Sequence, residues 1–187
     1  KEVEKVKLPA QLDVEFDKGS LVDLSDVSAE NYEDLELLGR VWGFLKYHHP
    51  EIAKGNYNWD YELFRIVPAY IESKDDAERD ELLVNWIESL GTLERCSTCK
   101  PINQQAVLKP DLDWITRQRE DLKNKLLEVY HGRSQGKHFY IGMAPGVENP
   151  NFKNEKAYSD MAFPDDGFRL LALYRYWNMI NYLFPYN

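Results

Sequence analysis

Residues 35–50 read LELLGRVWGFLKYHHP, and residues 170–185 read LLALYRYWNMINYLFP. Both have the pattern L-x-x-L-x-R-x-W-x-x-x-x-Y-x-x-P, and the two copies lie 135 positions apart. Leucine and tryptophan at these spacings line one face of an α-helix, and the proline ends it. Because arginine, tryptophan, tyrosine and proline also match in register, the pattern favours a duplicated helical unit over a chance likeness between two helices.

The two copies differ beyond the proline. After Pro50 the sequence continues to Trp59, Asp60 and a further helical pattern, whereas the second copy stops two residues after Pro185. The interrupted copy predicts that the chain is the front part of a longer protein. The first residue, Lys1, is not a methionine, which indicates that a leader or another N-terminal boundary has been removed.

Apolar residues at helical spacing predict a mainly α fold, in which a helical array contains the two related units. Capping residues and glycine or proline stops set the expected boundaries. The predicted helices cover residues 31–48, 59–73, 75–90 and 111–132, and a last helix begins at 165 or 166.

A short N-terminal β segment is the expected exception to the helical pattern. Apolar and acidic residues alternate from Leu12 to Phe16, which is the period of a half-buried strand, and residues 17–20 predict a turn. Another short strand is expected at 138–141. The chain thus divides into an N-terminal arm at 1–28, the first helical unit with its following helices at 29–132, an irregular connection at 133–164 and the start of the second unit at 165–187.

The composition indicates a folded, acidic protein. Hydrophobic residues make up 43% of the chain and aromatic residues 13%, far more than a disordered chain carries. The net charge of -9 argues against binding to nucleic acid, which requires a basic surface. The most apolar stretch, 168–184, contains Arg169 and Arg175, so no membrane span is expected.

The two cysteines, Cys96 and Cys99, form a single CxxC motif. One such motif supplies half of a four-ligand zinc site, and no second pair completes it. A thioredoxin-type motif opens a helix after a strand, whereas this one comes after the helix stop at Gly91. A local disulfide or two inert thiols are therefore expected first, with a redox or metal role as the alternative.

Candidate catalytic groups are few. A Ser/Lys pair requires a buried lysine with a lowered pKa, yet the strings Ser97-x-x-Lys100 and Ser134-x-x-Lys137 lie in polar loops. His48 and His49 are adjacent at the end of a predicted helix, so their side chains point in different directions and are poorly placed to bind one metal ion together. No catalytic, cofactor-binding or metal-binding residue is expected.

Five side chains are candidates for facing a ligand. Tyr57, Trp59 and Tyr61 could line a groove for a peptide or glycan, and Arg40 and Arg175 could bind a carboxylate. Core packing is the favoured alternative for the aromatic residues, because large aromatics contribute most to protein interiors. For the arginines the alternative is an ion pair with an acid of the other helical unit.

The segments VWGFLKYHHP at 41–50 and GNYNWDYELF at 55–64 resemble the region that precedes the catalytic core in some bacterial tail-specific (C-terminal processing) serine peptidases. DDGFRLLALYRYWN at 165–178 and YLFPY at 182–186 resemble a second block of the same region. The resemblance covers about residues 35–70 and 165–187, roughly a third of the chain.

The resemblance implies an exported protein of the Gram-negative cell envelope, located in the periplasm. Its partners would be a downstream catalytic core of the same polypeptide, with a peptide-binding domain and a Ser/Lys pair, and a protein or peptide substrate. None of those catalytic motifs occurs in these residues. The expected role is therefore a non-catalytic accessory domain that scaffolds the core or gates substrate. The rival hypothesis is a free-standing envelope module that binds a peptide or glycan.

Overall fold

Helices dominate the computed structural model, which describes residues 6–97, 99, 111–134, 136–146 and 149–183. Within these residues the fold is mainly α, as the sequence predicts, with eight α-helices and one small sheet. The helices are α1 (Pro9–Leu12), α2 (Tyr32–His48), α3 (Pro50–Ala53), α4 (Trp59–Glu72), α5 (Asp76–Ser89), α6 (Asp113–Thr116), α7 (Glu120–His131) and α8 (Asp166–Leu183). The strands are β1 (Ile141–Met143) and β2 (Pro150–Phe152), which pair antiparallel.

The central element is α2, whose C-terminal half, from Leu38 to His48, is buried on almost every side. Its Trp42 donates from Nε1 to the backbone oxygen of Trp59, and Trp59 donates from Nε1 to the backbone oxygen of Trp42, both at 3.0 Å. The ring of Trp86, from α5, stacks on Trp59 with their centroids 5.0 Å apart. Three tryptophans therefore connect α2, α4 and α5 through packed rings, and the indole donors of the first two are satisfied.

Helix α8 packs parallel to α2, and residues 135 positions apart face each other. Gly39 lies so close to Tyr174 that a Cβ atom added at Gly39 would be 2.7 Å from Tyr174 Cε1. Gly43 lies against Asn178, and the ring centroids of Tyr47 and Tyr182 are 4.8 Å apart. The contact advances by four residues along both helices in the same direction. Equivalent positions of the two sequence copies are thus related by a local twofold axis between the helices.

The two copies are not equally covered. Trp42 is fully buried whereas Trp177 is partly exposed, and Leu38 is fully buried whereas its equivalent, Leu173, is 59% exposed. The difference arises because α4 covers this face of α2, while no described element covers the same face of α8. This face-to-face register is the arrangement that a duplicated unit would adopt, and the duplication itself stays a prediction.

The predicted N-terminal β segment is wrong. Residues 9–12 form α1, and both Leu12 and Val14 are exposed. Only Phe16 of the alternating set is buried, where it packs edge-on against Tyr61 and Phe64 at centroid distances of 5.4 and 5.5 Å. Phe16 is the one aromatic residue that fixes the arm to the core, and no described strand lies beside the arm. The alternating residues therefore form no β-sheet hydrogen bonds.

The arm is instead held at the start of α8. Asp165 accepts hydrogen bonds from the backbone nitrogen of Ser20 at 2.8 Å and from the Ser20 hydroxyl at 2.6 Å. It also accepts from the backbone nitrogen of Phe168 at 3.1 Å, as a helix cap does, and Asp166 accepts from the backbone nitrogen of Leu24 at 3.0 Å. Asp165 therefore caps α8, and both aspartates at the predicted helix start bind the arm.

Other boundaries differ in detail. The helix predicted at 111–132 is divided into α6 and α7, and the strand predicted at 138–141 is displaced to β1. Pro50 ends α2 as predicted but also begins α3, since proline fits the first turn of a helix. Asp75 caps α5 by accepting from the backbone nitrogen of Glu78 at 2.9 Å. Residues 100–110 of the expected loop and the proline stop at Pro185 lie outside the described residues.

Replacing Gly43 by Ala should destabilise the protein by about 1–3 kcal/mol, because the new Cβ would lie 1.8 Å from Asn178 Oδ1. Asn178→Ala alone should also destabilise it, since Nδ2 donates to the backbone oxygens of Gly39 at 3.0 Å and Tyr174 at 2.9 Å. In the double variant the clash is absent, so the cost measured by urea unfolding should be smaller than the sum. Additive costs would contradict this register of α8 against α2.

Candidate functional site

A buried ionic cluster joins α2, α4, α8 and the connection before α8. Lys46 donates from Nζ to Glu155 Oε1 at 2.5 Å. Arg175 pairs with Asp60 through both Nε, at 3.2 Å, and Nη2, and its Nε lies 4.0 Å from Glu155 Oε2. The Tyr158 hydroxyl donates to Asp60 Oδ2 at 2.8 Å. Two cations therefore meet two carboxylates in the interior, and the local charges balance.

Burial shifts the pKa values of Lys46 and Tyr158 in opposite directions. It lowers the pKa of Lys46, which is 1% exposed, while the Glu155 and Asp60 carboxylates oppose that shift. The Lys46 ammonium also lies 4.9 Å from the ring centroid of Trp42 and 5.5 Å from that of Tyr140, within the range of cation–π attraction. Burial, and then the Asp60 carboxylate, raises the pKa of Tyr158, so its hydroxyl stays a donor.

A buried lysine amine is the group that a Ser/Lys peptidase uses as its base. Lys46 is committed to Glu155 instead, and no serine hydroxyl is among its hydrogen-bond partners in the described part of the chain. The cluster is therefore suited to holding elements together rather than to activating a nucleophile. Breaking such a pair leaves a charge buried without its counter-charge, which is costly.

Most predicted ligand-facing residues have internal roles. Trp59 is fully buried, so it does not face a ligand, and it is a core residue, which is the alternative that the sequence favours. Tyr61 is also buried, and its hydroxyl donates to Asp17. Tyr57 is half-buried and donates from its hydroxyl to the backbone oxygen of Ser89 at 3.4 Å.

The two arginines differ from each other. Arg175 forms an ion pair with Asp60 across the two units, which is the predicted alternative to ligand binding, and it is not available to a ligand. Arg40 pairs with Glu36 at 2.7 Å and lies over the ring of Trp177, 5.1 Å from the centroid. Arg40 thus remains at the surface, beside a partly exposed tryptophan.

The remaining candidates show no assembled chemistry. Ser134 donates from its backbone nitrogen to the backbone oxygen of His48 at 3.1 Å, and Lys137 is exposed, so its amine is not desolvated. Ser97 is exposed, and Lys100 lies outside the described residues. Neither S-x-x-K string therefore shows the buried amine that a Ser/Lys pair requires.

The structure joins Cys96 and Cys99 in a disulfide, with their Cα atoms 5.5 Å apart. Among the residues placed in the structure, no group of three or more His, Cys, Asp or Glu side chains is arranged to hold a metal ion. The helices placed there include none that is both long and apolar enough to cross a membrane.

An apolar groove lies between α2 and α8, with a volume of about 510 Å³. It lies on the opposite side of the helix pair from α4, since Phe168 and Arg175 on the other edge of α8 contact Phe64 and Asp60. The apolar groove is lined by Tyr32, Leu35 and Glu36 of α2 and by Leu170, Leu173, Tyr174 and Trp177 of α8. Glu36 is the one charged side chain among the residues that line it.

A second cleft of about 510 Å³ lies between α2, α5 and α6 and is lined mainly by charged side chains. Two of its arginines are already paired: Arg79 contacts Asp34 at 3.2 Å, and Arg119 contacts Asp80 at 3.4 Å. Burial raises the pKa of Asp80, and the Arg119 guanidinium opposes that shift. Ion pairs within the cleft therefore already occupy these two guanidinium groups.

In comparisons with known proteins, no family model, curated protein or solved structure matches this chain.

Asp60→Ala should lower the free energy of unfolding by about 3–5 kcal/mol, because the Arg175 guanidinium, on a side chain only 19% exposed, would lose its main carboxylate. Glu36→Ala is the matched control: it breaks the exposed ion pair with Arg40 and should cost no more than about 1 kcal/mol. Urea unfolding of both variants measures the difference. Equal costs would show that the cluster is not an energetic unit.

Stability should also depend on pH through His48 and His49. Burial lowers the pKa of each to about 4, whereas the unfolded residues titrate near 6.5. The unfolded chain therefore binds more protons between pH 6.5 and 4, so the free energy of unfolding should fall as the pH decreases through this window, by up to about 1.4 kcal/mol per pH unit for each histidine.

Chemical unfolding at pH 7, 5.5 and 4.5 measures this dependence. The double variant His48→Gln/His49→Gln should show a shallower slope than the parent protein, while His131→Gln, at an exposed position, should reproduce the parent slope. An unchanged slope in the double variant would assign the acid sensitivity to other groups.

Proposed function

We propose that this chain is a non-catalytic accessory domain of an exported serine peptidase of the C-terminal processing type, and that it scaffolds the catalytic core or gates its substrate. The observation that carries the non-catalytic part is the commitment of the buried Lys46 to Glu155. Burial would make the Lys46 amine a base, but the Glu155 carboxylate holds it as an ion pair. The other members of the cluster, Asp60, Tyr158 and Arg175, also pair with one another. The peptidase parent is supported by the sequence resemblance at 41–64 and 165–186.

Export to the cell envelope is supported by the disulfide between Cys96 and Cys99. Disulfides persist in oxidising compartments such as the bacterial periplasm and are rare in the cytosol. A periplasmic location is also what the resemblance implies. The partner is then the downstream core of the same polypeptide, and the substrate is a protein or peptide.

A free-standing module that binds a peptide or glycan is the second candidate, and one observation favours it. The apolar groove presents Tyr32 and Trp177, which are partly or largely exposed, and aromatic rings of this kind bind sugars and peptide side chains. The gene distinguishes the two candidates at once, because only the first requires a serine peptidase core encoded beyond residue 187.

A paired assay tests the proposal. The purified 187-residue chain should not hydrolyse an unfolded protein substrate, because the residues that the structure describes bring together no nucleophile with an activating base and an oxyanion site. A longer polypeptide that includes the presumed core should hydrolyse it. Ser97→Ala and Ser134→Ala in the short chain are the controls. If the short chain cleaves the substrate and either replacement abolishes cleavage, the chain is itself catalytic and the proposal fails.

A further inference from the structure

The parallel pair α2–α8 has a groove on each side, and α4 occupies one of them. On the α2 side of that first groove, Trp42 stacks with Trp59 at a centroid distance of 6.3 Å. On the α8 side, Phe168 packs against Phe64 at 4.7 Å, and Arg175 pairs with Asp60. Helix α4, which begins with Trp59 and Asp60, therefore fills the first groove. The Trp59 indole packs on the α2 wall, and the Asp60 carboxylate pairs with Arg175 on the α8 wall.

The apolar groove is the second one, and the local twofold axis relates it to the first. Leu173 and Trp177 of α8 are the equivalents of Leu38 and Trp42, which α4 covers on α2. The opposite wall of the apolar groove is formed by Tyr32, Leu35 and Glu36 of α2. The two grooves thus have matching tryptophan walls, one filled and one open.

The charges of the two grooves also correspond. Arg175 borders the first groove and holds the Asp60 carboxylate of α4. Its equivalent, Arg40, lines the neighbouring charged cleft and lies over the ring of Trp177, which lines the apolar groove. The Arg40 side chain is 26% exposed. Among the described residues, the ion-pair partner of Arg40 is the neighbouring, exposed Glu36. A carboxylate at the equivalent position of the apolar groove would therefore lie beside the Arg40 guanidinium.

We propose that the apolar groove is a docking site for an amphipathic partner helix of the α4 type, which opens on Trp-Asp. The tryptophan of that helix lies against Trp177, its aspartate pairs with Arg40, and its apolar face covers Leu173. This is helix-in-groove recognition, in which a few apolar anchors supply affinity and an ion pair sets orientation. Only the biological source of this partner helix depends on the proposed scaffolding function, and the docking site itself does not.

The test uses the whole 187-residue protein and a synthetic peptide of residues 57–73, the sequence of α4 with its cap. A fluorescently labelled peptide should bind, as measured by anisotropy, and Leu173→Asp or Trp177→Ala in the protein should each weaken binding at least about tenfold, as for central interface anchors. Tyr176→Ala is the matched control, since Tyr176 is an exposed aromatic of α8 outside the groove. Binding by this control should be unchanged, and far-UV circular dichroism checks that each variant is folded.

A double-mutant cycle tests the charge contact. Arg40→Gln in the protein and Asp→Asn at the peptide position of Asp60 should each weaken binding about tenfold, and together no more than either alone, as expected for a direct ion pair. Independent effects would overturn the role of Arg40. Absence of peptide binding, or binding that survives both Leu173→Asp and Trp177→Ala, would overturn the docking site.

A second copy of the chain is the competing occupant. Sedimentation equilibrium should show a monomer, and a dimer abolished by Leu173→Asp would overturn the proposal by assigning the groove to self-association. These outcomes are independent of the peptidase assay. A chain that binds the peptide but whose gene encodes no peptidase core would refute the proposed function alone.

Discussion

The packing of Gly43 against Asn178 is the contact on which the rest of the arrangement depends. With no Cβ at Gly43, the Asn178 side chain enters the space beside α2 and donates to the backbone oxygen of Gly39. This close approach sets α2 and α8 parallel and in register, so equivalent residues face each other. The two grooves of the helix pair result from that geometry: α4 fills one, and the other remains open.

The ionic cluster then joins distant parts of the chain to this helix pair. Lys46 and Glu155 are separated by 109 positions, and Asp60 and Arg175 by 115. In a low-dielectric interior each charge requires its partner, so the connection before α8 has only a narrow choice of positions. The same pairing removes the buried amine from chemistry. The pairing within this cluster and the apolar groove beside it both support the accessory role that we propose for the chain.

The failed predictions have a common physical origin. Trp59 and Tyr61 lie at the start of a predicted helix, where the sequence favours core packing but leaves a ligand-facing role open. Only the stacking of Trp42, Trp59 and Trp86 shows that Trp59 is at the centre of the core. The alternation at 12–16 has the period of a strand, but a strand requires a neighbour to pair with, and a single sequence carries no information about that neighbour. The sequence explains Asp60 as a residue at the start of a helix. It predicts that Arg175 pairs with an acid of the other unit, but it does not identify Asp60 as that acid.

The local signals were sufficient for the helices: the spacing of leucine and tryptophan around residues 35–50, the cap at Asp75 and the prolines placed most of the elements, because these features act within a turn or two. The 135-residue repeat also indicated which residues correspond. Tertiary structure decided which of the equivalent faces is covered, which acid meets each buried cation, and where an apolar surface stays open. Those outcomes depend on contacts between residues far apart in the chain, and each contact is determined by the simultaneous packing of several helices rather than by the residues that form it.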